Sequence, residues 1–213
     1  MTSAKKRLFV EAAVIISFFV YVVTSISVRR IFSSVILSST AAFVLSLLSL
    51  NLIMSRFPEE TREEIASDDG EAPIHVTSKW KLIAWFIITT VLMLAMNFGV
   101  SLLSGDTSVP DKDGLLLRAV FGILLYPFME EYLFRRGYIT AFLKGNVPVY
   151  VCIIYQATLF ATLHDGYGTT VAFICGIILG VTYVKAPAKA AFPMVYASHA
   201  IYNGVLYLIL ALT

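Results

Sequence analysis

Three stretches that otherwise read as membrane-spanning helix carry residues able to do chemistry. Glu130, Glu131 and Arg135 lie in MEEYLFRRGY, Phe160 and His164 in LFATLHD, and His199 and Asn203 in SHAIYNG. An ionisable group in hydrocarbon is costly, by a few kcal/mol or more, so several such groups in nearby helices point to use. Of the three histidines, only His75 stands in a clearly polar stretch. A carboxylate and an imidazole can together hold a water and take its proton. A second imidazole and an amide can stabilise the oxyanion that forms when that water attacks a carbonyl. No serine, cysteine or lysine occupies a recognisable nucleophile motif, so direct attack by water is preferred to a covalent route. These residue types suit hydrolysis. Glu130, His164 and His199 can instead ligate zinc and leave a position open for water. The HExxH spacing that marks many such sites is absent, and a site without metal is the working expectation.

Spacing tells which of these groups face each other. Helical residues advance by about 100° each, so Glu131 and Arg135, at i and i+4, share a face. That order suits an ion pair and leaves Glu130 pointing elsewhere, free for proton transfer. Phe160 and His164 repeat the i, i+4 spacing, which lets the ring pack on the imidazole. His199 and Asn203 do so again. Glu130 and His164 stand 16 and 17 residues on either side of a turn near Asn146–Val147. At 1.5 Å per residue that is roughly 24 Å and 26 Å, so an antiparallel hairpin sets them at similar depth. Taken singly each pair has a plain structural reading: a helix end, a hydrogen-bonded histidine, a bridge between helices. The three together are the stronger signal.

The elements that must position these groups follow from composition. The chain has 213 residues, 58% of them hydrophobic, and a mean hydropathy of +0.82. Soluble domains are nearer half apolar, so a soluble globular protein is excluded. Runs of about 20 apolar residues can span a bilayer as helix. They predict an all-α, polytopic transmembrane bundle of about seven spans, six to eight with uncertain breaks. The spans are 9–28, 31–54, 82–104, 115 through Glu130, 147–164, 169–184 and 192–212. A two-helix front end, 1–54, precedes an acidic polar loop, 55–81, and a transmembrane core, 82–213. The loop reads as a solvated segment with a short surface helix over EETREEIA, or as a dock for a basic partner; 106–114 reads as a turn. Seven spans with the N terminus in the cytoplasm place twelve of the sixteen Lys and Arg inside. Arg29, Arg30, Lys112 and Arg118 are left outside, in keeping with the bias of positive charge toward cytoplasmic loops. The first span is long for a signal core and lacks a small-residue cleavage pattern, so it reads as a retained anchor. Cys152 and Cys175 fall in apolar spans and read as buried thiols. Ala172, Gly176 and Gly180 form a small-residue stripe, echoed by Ala157 with Ala161 and Ala200 with Gly204, that suits close helix contact.

At these residues the chain resembles the CAAX prenyl protease and bacteriocin-processing (CPBP, or Abi) family of intramembrane endopeptidases. Its motifs EExxxR, FxxxH and HxxxN read here as Glu130-Glu131…Arg135, Phe160…His164 and His199…Asn203, in the family's order, with Gly137 two residues after the arginine. The match covers about 115–212. The resemblance implies that Glu130 and His164 activate water and that His199 and Asn203 stabilise the oxyanion, while Glu131, Arg135 and Phe160 read from their spacing as structural support. It implies a membrane-associated protein or peptide as substrate, prenylated in some relatives, and a lipid bilayer as surroundings. A prokaryotic source would place the chain in the plasma membrane. No nucleic-acid partner is expected. Two other classes stay open: a non-catalytic scaffold or immunity protein with the same fold, and a proton-coupled transporter, since intramembrane Glu and His also build proton relays. No inverted repeat supports the transporter.

Overall fold

Helix begins almost at once and is interrupted only by short turns. A computed structural model describes residues 2–56, 79–104 and 115–212. The acidic segment read as a solvated or docking loop, His75 and the 106–114 turn fall wholly or largely outside those residues. Seven helices account for the rest. They are α1 (Ser3–Phe32), α2 (Val35–Met54), α3 (Lys79–Ser104), α4 (115–144), α5 (Val149–Ala161), α6 (Tyr167–Lys185) and α7 (Ala188–Leu212). Among them α1, α2, α3, α6 and α7 are long and apolar enough to cross a membrane. The chain is therefore an all-α integral membrane protein.

Two of the expected spans differ from that simple picture. Helix α5 has 13 residues, about 20 Å of rise, against the roughly 30 Å of a bilayer's hydrocarbon core. It ends at Ala161, so His164 sits in the following turn and not on the helix. Helix α4 is not one regular helix. α-Helical turns alternate with two wider π segments, Phe121–Leu125 and Tyr132–Ile139. Pro127 supplies the reason for the first: in an α-helix its ring would press on the carbonyl four residues back, that of Ile123. Widening the turn to an i→i+5 pattern relieves this, and the Tyr126 N–H donates to the Phe121 carbonyl.

Contacts divide the described chain into two compact units, one from 2–56 with 136–152 and one from 79–104, 115–135 and 153–212. In the first, α1 ends on Ser33, in the left-handed conformation at φ 53°, whose N–H caps the Arg29 carbonyl. Arg29 and Arg30 occupy the last turn of α1, where cations favour the carbonyl end of a helix. The Ser34 hydroxyl then accepts from the Leu37 N–H and starts α2. Midway along the hairpin Ser17, Ser46 and Tyr138, all fully buried, bond to one another at 2.8–3.4 Å. Polar groups in an apolar bundle are satisfied pairwise in this way and fix which faces meet. Gly145, in the turn after α4, would place a Cβ 2.9 Å from Val10 of α1, so no larger residue fits without a shift.

The second unit holds every residue singled out for chemistry. A cluster around Met93, Val171, Cys175, Leu179, Val195 and Tyr202 joins α3, α6 and α7. Thr89 of α3 and Thr182 of α6 bond across it at 2.9 Å. The small-residue stripe works as expected on α6. A Cβ on Gly176 would lie 3.0 Å from the Ala157 backbone, and one on Gly180 would lie 2.8 Å from Gln156 Nε2. That closeness lets Gln156 donate to the Gly176 carbonyl at 2.7 Å. Gly204 is looser, its nearest neighbour Ile123 being 3.9 Å from the same position.

Candidate active site

Helix α7 brings two imidazole nitrogens to two carboxylates on α4. His199 Nδ1 lies 2.8 Å from Glu131 Oε1, and Nε2 lies 3.8 Å from Glu130 Oε2. Glu131 is fully buried and its other oxygen lies 3.1 Å from Arg135 Nε, also fully buried. The expected Glu131–Arg135 pair is present, but it is a charge contact without hydrogen-bond alignment. The π turn that begins at Tyr132 departs from regular α spacing, which accounts for the misalignment. The Arg135 guanidinium lies instead over the Phe160 ring, 4.8 Å from its centre, within cation–π range.

Phe160 is the hub of this arrangement. Its ring meets His164 edge-on at 4.9 Å, His199 at 6.1 Å and Phe134 at 5.3 Å. It thereby limits the rotation of both imidazoles while excluding water from Arg135. His164 keeps its packing on Phe160 although the helix has ended. His164 Nδ1 lies 3.2 Å from the Phe160 carbonyl, and Thr169 donates to the His164 carbonyl at 2.6 Å. An N–H on Nδ1 serving that carbonyl leaves Nε2 as the acceptor, the form in which an imidazole can take a proton.

Asn203 is positioned by a defect in α4. Inside the π turn the Tyr126 N–H serves Phe121, and the next candidate donor to the Gly122 carbonyl, residue 127, is a proline without an N–H. Asn203 Nδ2 fills the vacancy at 2.7 Å. Its second amide hydrogen is then left for another acceptor.

Glu130, Phe160, His164, His199 and Asn203 all line one cavity of about 300 Å³. That volume accommodates several waters or a stretch of ligand. Glu131 and Arg135 do not line it; they are packed behind, and Glu130 remains 24% exposed in front of them. The site also has parts that the three motifs do not contain: Asn97 from α3, Gly122 and Tyr126 from α4, and Tyr202 and Tyr207 from α7. Asn97 is the one amide of the apolar run 82–104, but it has no partner at helical spacing to mark it. Gly122 carried no signal, because only the fold brings its carbonyl to Asn203. Among the described residues no cluster of three or more His, Cys, Asp or Glu has metal-ligand spacing.

A family model described as "Type II CAAX prenyl endopeptidase Rce1-like" matches residues 112–205. The matched stretch runs from just before α4 into α7 and contains Glu130, His164, His199 and Asn203. No curated protein and no solved structure matches the chain.

Proposed function

We propose, from the match of residues 112–205 to the type II CAAX prenyl endopeptidase family, that the chain is an intramembrane endopeptidase. It hydrolyses a peptide bond of a membrane-associated protein or peptide, using water activated by Glu130 and His164. The observation that carries this reading is the convergence of Glu130, His164, His199 and Asn203 on one cavity.

The chemistry follows from the partners of each group. Water in the cavity gives its proton to Glu130, with the Nε2 lone pair of His164 as the second acceptor at hand. The hydroxide adds to the scissile carbonyl, whose oxygen becomes an anion. Asn203 presents its remaining amide hydrogen to that oxygen. His199 engages Glu131 through Nδ1–H, so it donates through Nε2 only with both ring protons in place. In that form the charges of Arg135 and His199 balance those of Glu130 and Glu131, and the site as a whole is neutral. The proton held by Glu130 then passes to the leaving amine. The working mechanism uses the chain's own groups and no resident metal. The N terminus lies in the cytoplasm, and the substrate reaches the cavity from the bilayer or its surface.

The test compares membrane and secreted peptides from cells carrying the wild type or Glu130→Gln. New termini that vanish with the Gln variant, at unchanged protein level, support the peptidase. Identical termini in both samples overturn it in favour of a non-catalytic scaffold. Metal analysis and chelation of active protein accompany the test, because activity lost to chelator and restored only by zinc would replace the metal-free mechanism.

A further inference from the structure

Asn97 belongs to α3, outside the matched stretch and outside all three motifs, yet it lines the cavity with Glu130, His199 and Asn203. Its carbonyl oxygen accepts from the Tyr202 hydroxyl at 3.1 Å. Tyr202 stands between the two α7 site residues and its ring lies 6.2 Å from that of His199. The hydroxyl thus fixes which way the amide faces. With the oxygen engaged by Tyr202, what Asn97 has left to offer a ligand is its NH₂ group, two donors and no acceptor. Asn203, on another wall, is likewise oriented by its bond to Gly122.

We propose that Asn97 is a substrate-binding residue that donates to a main-chain carbonyl of the bound peptide, on the wall provided by α3. The assignment rests on the peptidase reading for the identity of the ligand. The donors suit an acceptor. No lysine or arginine lines the cavity among the described residues, so a neutral peptide carbonyl is matched better than a terminal carboxylate. A peptide in this cavity is held by amide hydrogens from two helices, α3 and α7. One of them, Asn203, faces the oxygen that becomes charged. The other, Asn97, holds a carbonyl that does not react, and so contributes to binding more than to turnover.

The alternative is that Asn97 only braces α3 against α7 through Tyr202, and the experiment separates the two. Binding of a fluorescent peptide with a farnesylated CAAX terminus is measured to Glu130→Gln protein in nanodiscs, alone and with Asn97→Ala, Asn97→Asp or Tyr202→Phe added. Asn97→Asp keeps an oxygen for Tyr202 and loses both amide hydrogens. A substrate contact predicts binding weakened about five- to tenfold by both Ala and Asp, the range expected for one hydrogen bond. It also predicts an unchanged Tm for Asp and a smaller loss for Tyr202→Phe. A loss shared by the neutral and the charged variant is not an effect of charge. Parent-like binding by Asn97→Ala or Asn97→Asp overturns the assignment. So do a loss with Ala alone that tracks a lower Tm, and a failure of the parent to bind the peptide. If the parent binds and wild-type protein does not cleave the same peptide, the peptidase reading falls while the Asn97 contact stands.

Discussion

Glu131 is the residue whose removal disturbs most neighbours, since one oxygen faces Arg135 and the other faces His199. Glu131→Ala strands a fully buried guanidinium, and Arg135→Ala strands a fully buried carboxylate. Breaking a buried pair on one side costs about 3–5 kcal/mol. Both variants should therefore melt lower and be recovered from membranes in lower yield. Glu130→Gln, partly exposed and outside that pair, should keep the wild-type melting temperature. Thermal melts of the three proteins in one detergent check this, and equal stability throughout would remove the structural role given to Glu131. Both contacts between residues four apart, Glu131 with Arg135 and Phe160 with His164, were legible from spacing. The contact of His199 with Glu131 was not, because 68 residues separate them and only the packing of α7 on α4 brings them together. Asn97 was missed because one amide in an apolar run carries no spacing at all.

At the scale of the helix, the irregular α4 has the larger consequences. Pro127 frees the Gly122 carbonyl and that carbonyl holds Asn203, so a residue with no polar side chain orients one that has. Pro127→Ala restores an N–H able to bond within the helix. It should cut turnover several-fold while leaving stability the same or slightly higher, since an interior proline is itself unfavourable to helix. Steady-state kinetics beside a thermal melt decide the matter, and unchanged kcat would show that Asn203 keeps its orientation unaided. Helix α6 gives a second case. Leucine at Gly176 must enter the space held by the Ala157 backbone, and overpacking of this kind costs about 1–3 kcal/mol or more. Apolar runs and small-residue stripes made the helices and their close faces readable in advance. They did not reveal the two π segments, the first of which follows from backbone hydrogen bonding around Pro127. Nor did they reveal that α5 stops short of His164. The run LFATLH stays apolar past the helix end, and the chain turns through Gly166 at φ 59°.

For the molecule as a whole, apolar surface and water have to be separated. Phe19 on α1 is 67% exposed and Tyr167 at the start of α6 is 39% exposed, but only Tyr167 lines the cavity. In native membranes a charged, water-soluble maleimide should label Tyr167→Cys and leave Phe19→Cys untouched. Cys152 is buried and Cys175, a free thiol on the cavity wall, is first replaced by alanine in both proteins. Equal labelling of the two positions would mean that the cavity has no aqueous route. The bond between His199 and Glu131 also bears on how the chain is made. Ribosomes deliver α4 first, carrying two glutamates into a lipid phase that tolerates isolated charge poorly. The imidazole that serves them arrives only with α7. Until then α4 needs shelter from the insertion machinery or from its own arginine. A chain terminated after Lys185 should accordingly leave α4 poorly integrated, as protease protection of nascent membranes would show, while α1 and α2, complete long before, insert as usual.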